Sequence, residues 1–122
     1  MELRVVSTSE DPVTRVALTG RLDLQGTRAI ERVFVEQTTD GRAAIVDLGE
    51  VSFLASMGMR LLLQVAKALH RSGRRLVILR PQENVRQALE VAGLVEILPV
   101  SDDDAEALAL ALEVRAAPAT DA

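Results

Sequence analysis

Ala43-Ala44-Ile45-Val46-Asp47-Leu48 is an almost continuously apolar run, as expected of a strand buried on both faces of a parallel sheet. It leads into Val51-Ser52-Phe53-Leu54-Ala55-Ser56-Met57-Gly58-Met59-Arg60, where the pattern changes from strand to helix with a serine at the helix mouth. The helix that follows has the clearest periodicity in the chain. Met59, Leu62, Leu63, Ala66 and Leu69 form an apolar face, and Arg60, Gln64, Lys67 and Arg71 form a polar stripe. Gly73 closes it in the manner of a C′ glycine. Ser56 is therefore placed off the carboxyl end of a core strand, the edge at which open α/β sheets bind ligands and partners.

Working outward, Glu2 to Val6 and Val13 to Thr19 read as two short strands around Ser9-Glu10-Asp11-Pro12, a hairpin at one side of the sheet. After Gly20, Ile30, Val33, Phe34 and Gln37 lie on one helical face, and Asp40-Gly41 ends the segment. Beyond Gly73, Leu76-Val77-Ile78-Leu79 is a second buried strand, and Pro81 suits the first turn of a helix whose core face is Val85, Ala88, Leu89 and Ala92. Val95 to Val100 is read as a last strand. Ser101 with Asp104 reads as a capping box, with Ala105, Leu108, Ala109 and Leu112 packing behind it. The order β-β-α-β-α-β-α-β-α, with right-handed crossovers, predicts a single α/β domain. Its sheet has four to five mostly parallel strands, an N-terminal hairpin edge and about four flanking helices. The domain spans residues 1–115, and residues 116–122 read as a disordered tail.

Composition narrows the function. The 122 residues are 48% hydrophobic but only 2% aromatic, so the core is aliphatic and no ring cluster is available to stack on bases. A net charge of −4 provides no global basic field for nucleic acid or an anionic membrane. With no cysteine and one histidine, His70, neither a thiolate metal site nor a zinc or iron centre is expected, and no cofactor is called for. No apolar run approaches the roughly 20 residues of a membrane span, and the amino terminus lacks a signal-peptide pattern, which together predict a cytoplasmic protein.

The element order, together with Gly20-Arg21-Leu22-Asp23, Ile45-Val46-Asp47-Leu48 and Phe53-Leu54-Ala55-Ser56-Met57-Gly58, resembles the STAS domain of bacterial anti-sigma-factor antagonists over roughly Glu2 to Val114. That family's loop typically reads Asp-Ser-Ser/Thr-Gly. Its first serine is phosphorylated by a partner that is both serine kinase and anti-sigma factor. The resemblance therefore implies partner switching. Ser56 would be the phosphoacceptor and Gly58 the motif glycine, with a phosphatase restoring the hydroxyl and the domain a monomer or weak homodimer. Two positions depart from the pattern: Ala55 stands in place of Asp, and Met57 in place of the second Ser/Thr.

The partner surface expected around Ser56 comprises Leu54, Ala55, Met57, Gly58, Met59 and Arg60, joined across the sheet edge by Asp23, Gln25 and Thr27. Each residue also has a purely structural reading. Ser56 and Asp23 are both suited to cap a helix, Gly58 to relieve a close backbone approach, and Met59 to pack in the core. An enzyme with Ser56 as nucleophile lacks a base, because His70 lies about 21 Å along the helix. The chain also lacks a Gly-x-Ser-x-Gly elbow and a phosphate-cradling Gly-rich loop. The alternative is a STAS scaffold without phosphorylation, or a small-anion-binding module at the same edge. A basic cluster of Arg71, Arg74, Arg75 and Arg80 reads as solvated surface.

Overall fold

The computed structural model describes residues 1–113; the tail read at 116–122 lies outside the described residues. Five strands form one sheet in chain order: β1 (Glu2–Val5), β2 (Val13–Leu22), β3 (Ala43–Leu54), β4 (Leu76–Leu79) and β5 (Val100–Ser101). β1 and β2 pair antiparallel as the N-terminal hairpin, and each later neighbour is parallel. Helices α1 (Leu24–Thr38), α2 (Ser56–His70) and α3 (Glu83–Val91) occupy the crossovers, and α4 (Asp104–Leu112) follows β5. This is the expected α/β architecture, with five strands and four helices.

Strand alternation sorts the core into two layers. Ala44, Val46, Leu48, Leu76 and Ile78 face the main core, which also holds Phe34, Leu62 and Leu89 from the crossover helices. Ala43, Ile45, Val77 and Leu79 face the opposite side, where Ala107 and Ala111 of α4 cover them. Both faces of β3 and β4 are thus buried, which is why their sequences are apolar without alternation. The face of α4 differs from the expected one: its fully buried residues are the alanines 107 and 111, and Leu112 is exposed. Small side chains let this helix lie close to the sheet.

Four further readings change. Residues Leu94–Glu96 form a short 3-10 helix, so the last strand is only Val100–Ser101. Gly93, at φ +73°, turns the chain out of α3, and Leu94 and Leu98 are then buried while Glu96 between them is exposed, whereas a strand would put all three on one face. Asp103, not Ser101, caps α4, its carboxylate accepting from the Glu106 amide at 2.8 Å. Pro81 is buried ahead of the α3 cap at Gln82, outside the helix. On α1, Phe34 and Ile30 are buried, but Val33 is exposed.

β3 runs well past β4, and its extension pairs with β2 through two register shifts. Thr19 aligns with Glu50 where Ala17 aligns with Asp47, and Arg21 aligns with Phe53 where Gly20 aligns with Val51. Each shift inserts one extra β3 residue, a bulge that resets which side chains face the core. The edge of the extension that β4 leaves unpaired is covered from α3's start. Gln82 Nε2 donates to the Gly49 carbonyl at 3.0 Å and Asn84 Nδ2 to the Ser52 carbonyl at 2.8 Å.

Candidate functional site

Two strand-to-helix junctions lie side by side at the carboxyl edge of the sheet, because Leu22 and Leu54 are register partners at the ends of β2 and β3. The Ala55 amide donates to the Leu22 carbonyl at 2.9 Å, tying one junction to the other. At the first, Asp23 caps α1: its carboxylate accepts from the Gly26 amide at 2.8 Å, and Arg21 lies 3.4 Å away. The Gly26 amide, and after it the Arg21 guanidinium, hold the Asp23 carboxyl below its usual 3.8.

At the second junction, Ala55 is the cap residue, with extended backbone and no side-chain hydrogen bond. Ser56 is exposed and is the first helical residue, so the alternative, purely structural reading of it as the helix cap does not hold. The first intrahelical bond runs from the Met59 amide to the Ala55 carbonyl at 3.0 Å. The amides of Ser56, Met57 and Gly58 therefore precede the helical ladder, and the first turn carries no acidic residue. A positive helix end without a carboxylate to answer it is suited to an added anion.

Close packing fixes this geometry. A Cβ on Gly58 would sit 2.9 Å from the Leu22 carbonyl oxygen and 2.9 Å from Leu54 Cδ1. One on Gly26 would sit 1.9 Å from the Arg21 carbonyl oxygen. Each helix thus enters against the end of β2 with room only for hydrogen, and Gly58 is a close-approach residue.

The residues expected to share a surface divide. Ser56, Arg60 and Gln25 are exposed, and Ala55, Met57, Met59 and Asp23 are half-buried. Leu54 and Thr27 do not belong to that surface: Leu54 is 5% exposed and packs in the main core, and Thr27 is 2% exposed with no hydrogen-bond partner for its hydroxyl. Gly58 is buried as well. The exposed apolar residues here are instead Phe53 and Leu24, with the Arg21 guanidinium 4.3 Å over the Phe53 ring. Sequence periodicity missed Phe53 because the bulge beside it turns Phe53 outward and Leu54 inward. The one available signal was that Phe53 is one of only two aromatic residues in the chain.

The basic residues read as one cluster separate in space. Arg80, at φ +53°, pairs with Asp47 at 2.9 Å and Asp104 at 3.4 Å, whereas Arg74 and Arg75 lie between α2 and the start of β4. Among the described residues, no group of three His, Cys, Asp or Glu side chains is placed to hold a metal ion, and no helix is long and apolar enough to cross a membrane.

Comparisons with known proteins bear on the fold and the family. The anti-sigma-B factor antagonist of Staphylococcus aureus is 29% identical over 103 residues, covering 84% of this chain and 95% of that protein. Among solved structures, an anti-sigma factor antagonist from Mycobacterium paratuberculosis superposes with a TM-score of 0.78 at 21% identity, covering 92% of this chain and 96% of that one. The Bacillus cell fate determinant SpoIIAA in its phosphorylated form gives 0.65 at 20% identity, covering 88% and 97%. The model of the STAS domain matches residues 4–107, and the chain belongs to the STAS domain family.

Proposed function

We propose that this protein is an anti-sigma-factor antagonist that binds a serine-kinase/anti-sigma factor when Ser56 is free and releases it when Ser56 is phosphorylated, so controlling sigma-factor-dependent transcription. The observation that carries this reading is the exposed Ser56 at the first position of α2, on a helix end that no carboxylate answers. The S. aureus relative, named an anti-sigma-B factor antagonist, supports the partner class, and the phosphorylated form of SpoIIAA supports the modification. The domain acts by association in the cytoplasm, and the phosphoryl chemistry belongs to its partner.

The physical mechanism separates fold from surface. A phosphate on Ser56 adds about −1.5 to −2 charges where free amides and the helix dipole stabilise an anion, so α2 stays intact. Arg60, one turn further on, is spaced to contribute a cation. The surrounding surface, with Met57, Leu24, Phe53 and Arg21, changes from largely apolar to strongly anionic. A partner that buries it must then desolvate a dianion, which opposes binding. The test is transfer of labelled phosphate from ATP by the serine kinase of the same cell: wild type accepts label and Ser56→Ala does not. Equal labelling of the two removes Ser56 as the acceptor.

A second reading, a constitutive scaffold with the same contacts, rests on Ala55 and Met57, which depart from the Asp-Ser-Ser/Thr-Gly loop on both sides of Ser56. Capture of partners by Ser56→Asp separates the two. The switch predicts loss of the partner retained by wild type and Ser56→Ala, and the scaffold predicts retention by all three.

A further inference from the structure

The far end of α2 borders a cavity of about 300 Å³ at the opposite edge of the sheet from Ser56. Lys67 and His70 of the last helical turns, with Arg74 and Arg75 of the connection to β4, supply its polar wall; Glu96 is the one carboxylate among the lining residues. Ala66, Leu76, Ile97 and Pro99 supply an apolar wall. Arg74 Nε is buried and has no hydrogen-bond partner. Leaving a buried cationic donor unpaired is costly, and an incoming acceptor would relieve it.

The helix dipole opposes an anion at this end, but the terminal carbonyls are already engaged. The Arg74 and Ser72 amides donate to the Leu69 carbonyl at 2.9 and 3.0 Å, and the Gly73 amide to the His70 carbonyl at 3.0 Å. Gly73, at φ +77°, makes this closure possible. The fixed charges of Lys67 and Arg74 therefore dominate the local field, while Arg75 is held by Glu113 at 2.9 Å. The wall is rigid where it matters: the Arg75 carbonyl accepts from the Ala44 amide at 3.0 Å and the Pro99 carbonyl from the Ile78 amide at 2.8 Å.

We propose that this cavity is a binding site for a small amphiphilic anion, a phosphate or carboxylate joined to a compact apolar body. The anionic group faces Lys67 and the Arg74 guanidinium, whose buried Nε reaches it after a shift of the side chain, and the apolar body packs on Leu76, Ile97 and Pro99. The volume lies at the small end of ligand pockets, which sets the size class. About 21 Å of helix separates this site from Ser56, so it is independent of the phosphorylation reading.

The test is titration of the full chain with phenyl phosphate, followed by amide chemical shifts. Saturable shifts confined to residues 66–76 and 96–98 are expected, with inorganic phosphate and benzyl alcohol each binding about tenfold or more weakly because each offers half of the interaction. Lys67→Gln, at an exposed position, and Arg74→Gln should each weaken phenyl phosphate about tenfold, the loss of one charge-assisted contact. No saturable shift in wild type overturns the proposal, as do shifts centred on Ser56. Unchanged affinity in a folded Lys67→Gln protein, or equal binding of inorganic phosphate, also overturns it. Phenylacetate in place of phenyl phosphate distinguishes a carboxylate ligand from a phosphate one.

Discussion

The junctions that open α1 and α2 are built alike and finished differently. Both follow register-paired strand ends, and both bring a glycine, Gly26 or Gly58, against the end of β2. At α1 the chain supplies its own anion, Asp23, bonded to the Gly26 amide and neighboured by Arg21. At α2 the corresponding position is Ala55, and the helix end is left open with Ser56 exposed beside it. The contrast teaches that one junction is closed by its own side chain and the other leaves its helix end without a carboxylate, while the same tight packing holds both in place.

The sharpest break in the comparison is steric. Gly26→Ala places a methyl 1.9 Å from a backbone carbonyl that cannot yield, and should cost about 3 kcal/mol in denaturant unfolding. Gly58→Ala meets its neighbours at 2.9 Å, one of them the mobile Leu54 side chain, and should cost about 2 kcal/mol. Equal and negligible losses would show that the two helix entries are looser than described.

Exchanging the caps has a smaller effect. Ala55→Asp should stabilise the fold by about 1 kcal/mol by answering the open end of α2, read as a raised denaturation midpoint at unchanged slope. Phosphorylation of Ser56 should raise the melting temperature of wild type, and raise it less in Ala55→Asp, because the two anions compete for the same amides.

The pH dependence follows from the closed junction. The Asp23 carboxyl sits below 3.8 in the folded protein, held first by the Gly26 amide, and the Arg15 and Arg80 guanidiniums likewise lower Asp104. A depressed folded value means stability that is complete above about pH 4 and is lost as pH falls through the folded values. Stability measured from pH 6 to 2 should therefore fall toward acid, and fall slightly less steeply in Asp23→Asn. An unchanged profile in that variant would deny the cap its electrostatic role.

Much of this was legible in the sequence because apolar pattern reports burial directly. The runs at Ala43 to Leu48 and Leu76 to Leu79 are buried on both faces, and the α2 face recurs at Leu62, Ala66 and Leu69 as its spacing requires. Periodicity failed where the backbone changes phase. The bulges between β2 and β3 exchange the faces expected around Phe53 and Leu54, moving the latter from partner surface to core. The segment Val95 to Val100 looks β-prone because it is apolar, yet after the left-handed Gly93 it buries Leu98 alone and leaves Val95 and Ile97 exposed. Thr27 carried a polar label into the interior, which one-dimensional pattern cannot distinguish from an exposed contact. The basic cluster was contiguous only in sequence, since Arg80 and Arg74 stand at opposite ends of β4.

The central claim is that a dianion at the open end of α2 changes association and leaves the scaffold alone. Its most direct test compares the affinity of unmodified and Ser56-phosphorylated protein for the serine-kinase/anti-sigma factor of the same cell, with amide spectra of both forms. The account predicts nearly superimposable spectra away from residues 53–60 and binding weakened about a hundredfold or more, roughly 2.7 kcal/mol. Equal affinities, or a phosphorylated form that has lost its native spectrum, would contradict it.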